Sequence, residues 1–318
     1  MEDAPKLSIV IVCMDRPDNL YPCLEGIRAH TAVSYETFVV AYLFSPDNLA
    51  RARADFPWVQ FIESNETRGF SENNNLALRK ARGEFCFVVN DDTVISSDIL
   101  SRLVEDFSML PREAAIVSPR LLNADGSLQL CGRPPYPARN YLLQQWHLYS
   151  EPKDDTAGKT PVFGTVYETS NITGAAFVIR TAVFRELGFF DERYFFTPED
   201  IALSTLARSR GYRVYVDSSL TIVHRWKATA SAMSAAIRPS AVKGSLIFFG
   251  RGSRLKLLLL SAGVYAAESA KRFKAWLRLL LFPGSENALK HRTFRNICRS
   301  IFSPLSPKEI FIRYRSES

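Results

Sequence analysis

Two adjacent carboxylates, Asp91 and Asp92, directly follow an uninterrupted apolar run in the stretch "RGEFCFVVNDDT" (82–93). The run from Phe85 to Val89 is typical of a strand covered on both faces of a sheet. Two close carboxylates repel each other and are costly unless a positive group lies near them. Mg²⁺ and Mn²⁺ meet this need, since such ions bind one or two protein carboxylates together with the oxygens of a substrate diphosphate. The stretch therefore predicts a clamp for a metal ion and a diphosphate.

A solvated turn is the simpler interpretation of the same residues. The run Asn-Asp-Asp-Thr is ordinary loop composition, and its side chains can cap the helix that follows. Taken alone, the Asp91-Asp92 dipeptide favours the turn. Its surroundings in the chain favour the clamp.

The elements that must position these carboxylates alternate along the first half of the chain. Strands are predicted at 7–13, 37–43, 59–63, 85–89, 115–118, 173–180 and 213–216, and helices at 20–30, 73–81 and 98–107. Such alternation predicts an α/β fold with a mixed, mainly parallel sheet. In an open sheet of this class, ligands bind beyond the carboxyl ends of the strands, where Asp91 and Asp92 lie. Residues 119–170 are expected to be an irregular excursion.

The charge of the chain is concentrated in its C-terminal part. Residues 251–318 hold 14 Lys and Arg against 4 Asp and Glu, whereas residues 1–250 hold 26 against 29. We therefore expect a globular domain over 1–233 and a basic helical extension over 234–318. An anionic partner fits a basic tail, and the candidates are lipid headgroups, nucleic acid or a diphosphate-bearing acceptor.

The tail contains the stretch "LKLLLLSAGVYAAESAKRFKAWLRLLLF" (255–282). Its charged residues leave no window of about 20 apolar residues, which a membrane-spanning helix needs. The pattern predicts either an amphipathic helix at a membrane surface or a helix packed on the body of the protein. Nucleic acid is not expected, since the tail lacks interleaved aromatic and base-reading polar residues.

The N-terminus "MEDAPKLSIVIVC" is acidic and lacks the pattern of a signal peptide. The five cysteines are scattered without metal-ligand spacing, which fits a reducing, cytoplasmic compartment.

Five motifs in order resemble family 2 glycosyltransferases of the GT-A fold, and among them the rhamnosyltransferase-like branch. They are "LSIVIVCMDRPDNL", "NETRGFSENNNLALRKARGEFCFVVNDDT", "NADGSLQLCGRPPYP", "TGAAFVIRTAVFRELGFFDERYFFTPED" and "TIVH". Each motif is weak alone, but their common order over about residues 7–226 is specific. The resemblance implies a GT-A domain, and the pattern of the residues after it predicts a C-terminal helical tail.

The resemblance also implies roles for individual residues. Asp92, with Asp91 beside it, matches the Asp that binds the metal ion and the diphosphate. His224 matches the histidine that completes the metal site. Asn75 matches an asparagine that helps to hold the nucleotide-sugar. Asp200 stands at the position of the catalytic base, although an acidic residue there also suits a helix N-terminus. Asp15, at the end of the first strand, is a further candidate for a nucleotide contact.

The implied activity is inverting transfer of a sugar from a nucleotide-sugar, of the dTDP-rhamnose or UDP-hexose type, to a hydroxyl of a glycan or lipid-linked acceptor. A carboxylate base takes the proton of the acceptor, and Mg²⁺ or Mn²⁺ neutralises the departing diphosphate. The expected place of work is the cytoplasmic face of a bacterial membrane, where the tail would contact the surface. Oligomeric state does not follow from the sequence.

Two positions depart from the family pattern. Ala41 stands where the family has an Asp after the second strand, and the loop carries Asp47 further along. Ala202 replaces the second Asp of the family's Glu-Asp-x-Asp-Leu run. These changes keep a second hypothesis open, a catalytically weak or inactive binding or scaffold subunit of a polysaccharide assembly. A sugar-nucleotidyltransferase is disfavoured, because "CMDRPDNL" has no glycine for a phosphate loop.

Overall fold

The predicted apolar runs become strands of a single sheet. The computed structural model describes residues 4–225 and 233–317. The strands are β1 Leu7–Cys13, β2 Tyr35–Tyr42, β3 Val59–Ser64, β4 Phe85–Asn90, β5 Thr93–Val94, β6 Ala114–Leu122, β7 Val166–Thr169, β8 Ala176–Arg180 and β9 Arg213–His224. Their order across the sheet is β3-β2-β1-β4-β8-β6-β9-β5, with β7 paired to β9.

The sheet is mixed, as the sequence predicts. Strands β1 to β4 form a wholly parallel block, and β6 also runs parallel to β9. Strand β8 lies antiparallel between β4 and β6, and the short strands β5 and β7 pair antiparallel with β9. The carboxyl ends of β1, β2 and β4 therefore lie at one edge, with Cys13 opposite Ala41 and Val12 opposite Asn90.

The apolar runs are continuous because both faces of the sheet are covered. Along β4, Phe85 and Phe87 belong to one hydrophobic cluster, and Cys86 and Val88 belong to the other. The first cluster is covered by α1 and α4, and the second by α3 and α6. Parallel strands buried on both faces are expected to lack polar alternation.

The helices of the described residues are α1 Pro17–His30, α2 Pro46–Asp55, α3 Phe70–Leu78, α4 Ile99–Met109, α5 Ala138–Gln145, α6 Thr181–Glu186, α7 Glu199–Ser209, α8 Ser234–Gly250, α9 Arg254–Leu281, α10 Ser285–Ile301 and α11 Pro307–Tyr314. The helical tail is confirmed. The placement of Asp47 in a loop is wrong, because it lies in the first turn of α2. The irregular region 119–170 also contains α5 and β7, which the pattern did not predict.

The chain divides into two compact units. The first contains the sheet and consists of the described residues of 1–135, 151–191 and 200–226. The second consists of 136–150, 192–199 and the described residues of 227–318, and has its own aromatic cluster around Phe195, Phe311 and Tyr314. The second unit thus includes two short segments from before residue 233, and the domain boundary at 233/234 stays a prediction. In the described ranges, no helix has the length and apolar content to cross a bilayer.

Candidate functional site

The acidic turn after β4 is held against the end of β9. Strand β5 follows the turn immediately, and its Thr93 pairs with His224, the last residue of β9. The backbone N–H of Arg225 also donates to the carbonyl of Asp92 (2.9 Å). This pairing places the Nε2 atom of His224 3.1 Å from Oδ1 of Asp92. Two residues that the sequence predicts as metal ligands are therefore side by side.

The side chain of Gln129 fixes the orientation and the tautomer of His224. The amide nitrogen of Gln129 donates to the carbonyl of His224 (2.5 Å) and to Oδ1 of Asn123 (2.9 Å). Its amide oxygen, 2.8 Å from Nδ1 of His224, must then accept the ring proton. In neutral His224 the lone pair is consequently on Nε2, which faces Asn90 Nδ2 (3.3 Å) and Asp92.

These residues fit a divalent ion that is completed by oxygens from a bound substrate. A lone pair on Nε2 and a carboxylate oxygen 3.1 Å apart favour a shared cation; ligands ~2.1 Å from an octahedral ion are separated by about 3 Å. The hydrogen bond from Nδ1 to an amide oxygen is the usual support of a metal-binding histidine. Within the described ranges, no group of three His, Cys, Asp or Glu is arranged to hold a metal ion. Asp92 and His224 together offer two ligands for such an ion.

Asp91 points towards the end of β1 rather than towards His224. Its carboxylate interacts with the thiol of Cys13, and burial raises its pKa to about 6, with Asp92 adding to the rise. The Cys13 hydrogen bond and Arg16 act in the opposite direction. The pKa of the Cys13 thiol is raised well above its ordinary value, mainly by burial and then by Asp91. Cys13 is therefore a neutral thiol next to this carboxylate, and its Sγ donates to the carbonyl of Arg16 (3.6 Å).

Asp200 is tied to the same edge of the sheet through one short backbone segment. The N–H of Gly174 donates to Oδ2 of Asp200 (3.2 Å), and the carbonyl of the next residue, Ala175, accepts from the N–H of Asn90 (2.9 Å). Asp200 is thus linked by adjacent residues to the end of β4. Its Oδ1 also accepts from Ile201 N–H (2.7 Å), so part of the predicted capping role is present as well.

An arginine missed in the sequence supports Asp200. Nη1 of Arg133 lies 3.6 Å from Oδ2 of Asp200, and both side chains are largely buried. The same guanidinium donates twice to Glu151, from Nε (2.8 Å) and from Nη2 (2.7 Å). Such a fork holds a planar cation in one orientation. Arg133 therefore places a positive group beside Asp200, and Glu151 holds that guanidinium in one orientation.

Asn75 is placed differently from the other candidates. It is buried, and its amide group donates to the carbonyl of Phe190 (2.9 Å) and accepts from the N–H of Phe190 (3.1 Å). These two bonds fasten α3 to the segment around Phe190. A contact of Asn75 with a nucleotide-sugar stays a prediction, since the bonds described give its amide a structural role.

Asp15 lies just after β1, at the carboxyl edge. Its Oδ1 accepts from Nδ2 of Asn48 (2.8 Å), and its backbone has a positive φ of 47°. The left-handed region is uncommon for residues other than glycine, though Asp and Asn are the more frequent exceptions. The bond to Asn48 joins the loop after β1 to α2, so Asp15 shapes this edge whether or not it contacts a ligand.

Ala41 and Ala202 stand where the family has acidic residues, and they lie in β2 and α7 respectively. Ala41 is buried at the end of β2, opposite Cys13 in β1, and offers no polar group there. Ala202 is half-buried in the first part of α7, close in sequence to Asp200.

The polar groups missed in the sequence include Gln129 and Arg133, and both lie in the motif "NADGSLQLCGRPPYP". That motif was the available signal, but its spacing does not say which of its side chains turn inward.

Comparisons with known proteins show the family and the fold of the chain. A family model described as "Glycosyltransferase like family 2" matches residues 5–241. The O-antigen biosynthesis protein RfbC of Myxococcus xanthus is 26% identical over 249 residues, which is 72% of this chain and 18% of that protein. Protein CgeD of Bacillus subtilis (strain 168) is 26% identical over 122 residues, which is 36% of this chain and 29% of that protein. The chain therefore spans under a third of the length of both relatives.

Two solved structures share the fold. GalNAc-T7 with UDP, GalNAc and Mn²⁺ superposes with a TM-score of 0.58 at 15% identity, over 80% of this chain and 54% of that one. The mannosyltransferase PcManGT of Pyrobaculum calidifontis, in complex with GDP-Man and Mn²⁺, gives a TM-score of 0.54 at 15% identity, over 93% and 88%. At such identity the likeness concerns the fold alone, and it confirms the GT-A architecture predicted from the sequence.

Proposed function

The chain belongs to the glycosyltransferase like family 2, and we propose that it transfers a sugar from a nucleotide-sugar to a hydroxyl of an acceptor, with inversion at the anomeric carbon. The observation that carries the proposal is the edge where Asp92 meets His224 while Asp200 is tethered, through Gly174 and Ala175, to the same strand end. The transfer is assigned to residues 1–233, with 234–318 as the helical extension.

Asp200 acts as the base in this proposal. The acceptor hydroxyl attacks the anomeric carbon, and its proton passes to a carboxylate oxygen of Asp200. The new C–O bond forms as the bond from the anomeric carbon to the diphosphate breaks, and the electron pair leaves with the diphosphate. Arg133 keeps the carboxylate in one place, and its own orientation is kept by Glu151. A base held in a fixed position relative to the acceptor lowers the activation barrier more than a base of the same strength that is free to move.

Asp92 and His224 are the residues proposed to hold a divalent ion, Mg²⁺ or Mn²⁺, and such an ion supplies positive charge to the leaving diphosphate. Gln129 keeps the lone pair of His224 on Nε2. Asp91 lies next to Asp92 in the chain, with the thiol of Cys13 near its carboxylate. Asp15 and Asn75 are proposed as contacts of the nucleotide-sugar. Both solved neighbours contain Mn²⁺ beside a nucleotide, which supports a metal-dependent reaction.

The donor is proposed to be a dTDP-rhamnose or UDP-hexose type of nucleotide-sugar, and the acceptor a lipid-linked glycan or a polysaccharide. The relative named for O-antigen biosynthesis supports an acceptor of the cell envelope. The solved neighbours contain UDP with GalNAc in one case and GDP-Man in the other, so the nucleotide is left to experiment. We propose that the reaction takes place on the cytoplasmic side of the membrane.

A second candidate is a binding or scaffold subunit with weak turnover or none. One observation favours it: Ala41 leaves the end of β2 without the acidic group that the family uses for the nucleobase or ribose. Retention of Asp92, Asp200 and His224 in one edge of the sheet favours catalysis instead. The two candidates differ in one measurable property, release of a nucleoside diphosphate.

The deciding experiment measures nucleoside-diphosphate release from a panel of nucleotide-sugars, with Mn²⁺, Mg²⁺ or a chelator, beside donor binding by calorimetry. Wild type is compared with Asp92→Ala, Asp200→Asn and Glu105→Ala, which removes an exposed carboxylate of α4 as a matched control. We expect metal-dependent binding that Asp92→Ala abolishes, and turnover that Asp200→Asn lowers about a hundredfold or more while binding persists. Binding without turnover in wild type, on every donor, would favour the scaffold; no binding at all would remove both interpretations of the site.

A further inference from the structure

Helix α9 (Arg254–Leu281) has an apolar stripe on its exposed side. The residues recur at alternating steps of four and three, which keeps them on one face of a helix. They are Leu255, Leu259, Ala262, Ala266, Phe273, Trp276 and Leu280, with half-buried Ser269 filling the remaining position. Exposure reaches 65% at Leu255 and 59% at both Phe273 and Leu280, so within the described ranges no other segment covers the stripe.

The same helix buries a second, separate apolar face. Leu260, Val264, Ala267 and Ala275 are buried, and they are offset from the stripe on the helix circumference. This buried face is therefore the one by which α9 packs within the second unit. The exposed stripe is additional apolar surface, and a contiguous patch of this kind marks a place of interaction on a soluble surface.

Positive charge borders the stripe on both sides. Arg254 and Arg272 lie on one flank and Lys256 and Lys274 on the other, and each pair is about five helical turns apart and thus on one line. All four residues are exposed. The single acidic residue of α9, Glu268, has a fully buried side chain and pairs with Lys271 (2.5 Å). The exposed side of α9 is consequently apolar in the middle and cationic at both margins.

A groove beside the stripe carries the same combination of chemistry. Its lining is Ser269, Arg272, Phe273, Trp276 and His291, and its volume is about 440 Å³. Arg272 and Arg295 lower the pKa of His291, after the larger effect of its burial. A site with aromatic walls and the exposed guanidinium of Arg272 suits a phosphate group at the boundary between water and hydrocarbon.

We propose that α9 docks on a bilayer that contains anionic phospholipid, lying in the plane of the interface. The stripe enters the boundary of the acyl chains, and the two basic margins meet lipid phosphates, which is the usual arrangement of an interfacial amphipathic helix. A second copy of the chain is a poorer occupant. Both margins of the stripe are basic, so two stripes pressed together would bring like charges face to face.

The test is flotation of the full chain with vesicles of phosphatidylcholine alone and of phosphatidylcholine with phosphatidylglycerol. The variant Phe273→Asp/Leu280→Asp alters the stripe. The matched control Met109→Asp/Leu148→Asp makes the same change of charge at two apolar residues that are exposed elsewhere, 68% and 73% respectively. Circular dichroism checks that each variant keeps its helix content.

We expect wild type to float with the anionic vesicles, the stripe variant to bind at least tenfold more weakly, and the control to stay within about threefold of wild type. Absence of flotation on both vesicle types would overturn the proposal. An equal loss in the two double variants would also overturn it, because adsorption would then follow net charge and not the stripe. A concentration-dependent dimer that the stripe variant abolishes, without vesicle binding, would overturn it in favour of a second copy.

Discussion

Gln129 and His224 are joined twice: the amide oxygen of Gln129 accepts from the ring, and its amide nitrogen donates to the backbone carbonyl of the same histidine. One side chain therefore fixes both the ring and the end of strand β9. Removing it should loosen the proposed ion site without touching any ligand of the ion.

We predict that Gln129→Met weakens metal-dependent donor binding by about 10- to 100-fold, the usual effect of losing the hydrogen bond behind a metal-binding histidine. The measurement is calorimetric binding of the donor over a series of Mn²⁺ concentrations. Gln129→Glu keeps an acceptor for Nδ1 and should recover part of the loss. Equal effects of the two substitutions would contradict a role in orienting the ring.

Arg133 is predicted to serve both stability and the placement of Asp200. Arg133→Ala leaves the buried carboxylate of Glu151 without its two guanidinium bonds, and we expect a loss of about 3 kcal/mol in the free energy of unfolding. Urea denaturation measures it. The double variant Arg133→Met/Glu151→Met removes both charges and should recover much of this stability.

The same double variant separates folding from function. Because Asp200 still lacks its cation, kcat should stay at least tenfold below wild type although the protein is folded, with a smaller change in KM. Recovery of kcat together with stability would mean that Arg133 acts on the fold alone.

The buried carboxyl of Asp106 predicts a pH dependence of stability. Desolvation first, and then the charge of Asp217, raise its pKa from 3.8 to about 7, and its Oδ2 has no hydrogen-bond partner among the described residues. Between these two pKa values the folded protein retains a proton that the unfolded chain has lost. This group therefore lowers stability as pH rises from about 4 to 7.

Accordingly, Asp106→Asn should raise the free energy of unfolding by on the order of 1 kcal/mol at pH 8 and have little effect near pH 4. Urea denaturation at both pH values provides the check. Glu25→Gln, an exposed carboxyl of α1 that is not among the groups shifting the pKa of Asp106, is the control and should give no such difference. A gain that is the same at both pH values would exclude titration of Asp106 as its cause.

Gly26 is predicted to be required by a close approach of backbones. It lies in α1, where alanine would normally stabilise a helix by up to about 1 kcal/mol. A Cβ atom at this position would lie 2.6 Å from the carbonyl oxygen of Ile95, just after β5. A backbone oxygen cannot move aside as a flexible side chain can, so the clash outweighs the helix propensity.

We expect Gly26→Ala to lower the free energy of unfolding by about 2 kcal/mol, a typical penalty for overpacking. Thermal and urea unfolding measure the change. Gly284→Ala is the control, since a Cβ atom at that position would have open space within 4 Å and the φ of 171° is extended backbone. An unchanged Gly26→Ala protein would show that α1 can shift away from the acidic turn.

Much of the sheet could be predicted because burial on both faces leaves a direct trace in the sequence. Strand β1 (Leu7–Cys13) has its predicted bounds, and β4 exceeds its prediction by Asn90 alone. Helix α2 (Pro46–Asp55) was missed, since its composition, PDNLARARAD, buries only Leu49 and Ala52 and shows almost no apolar periodicity. Short apolar faces give too little signal to separate a helix from a polar loop.

The candidate site could be predicted only in part, for a different reason. Asp92 and His224 were paired through the family resemblance, and the pairing of Thr93 with His224 gives that expectation a geometric basis. The contacts of Arg133 with Glu151 and Asp200 join segments far apart in the chain, and no periodicity encodes them. Hydrogen bonds between irregular segments depend on the finished fold, so the sequence alone does not reveal them.

The pairing of β5 with the end of β9 also has a consequence for biosynthesis. Asp92 is translated long before His224, and the two meet where β5 pairs with the last two residues of β9. A nascent chain that ends before His224 can contain all the residues of β1 to β4, but it has no His224 to set beside Asp92. The pair proposed to hold an ion with a nucleotide is therefore completed late, when the final strand docks, and prematurely terminated chains should lack metal-dependent binding of the donor.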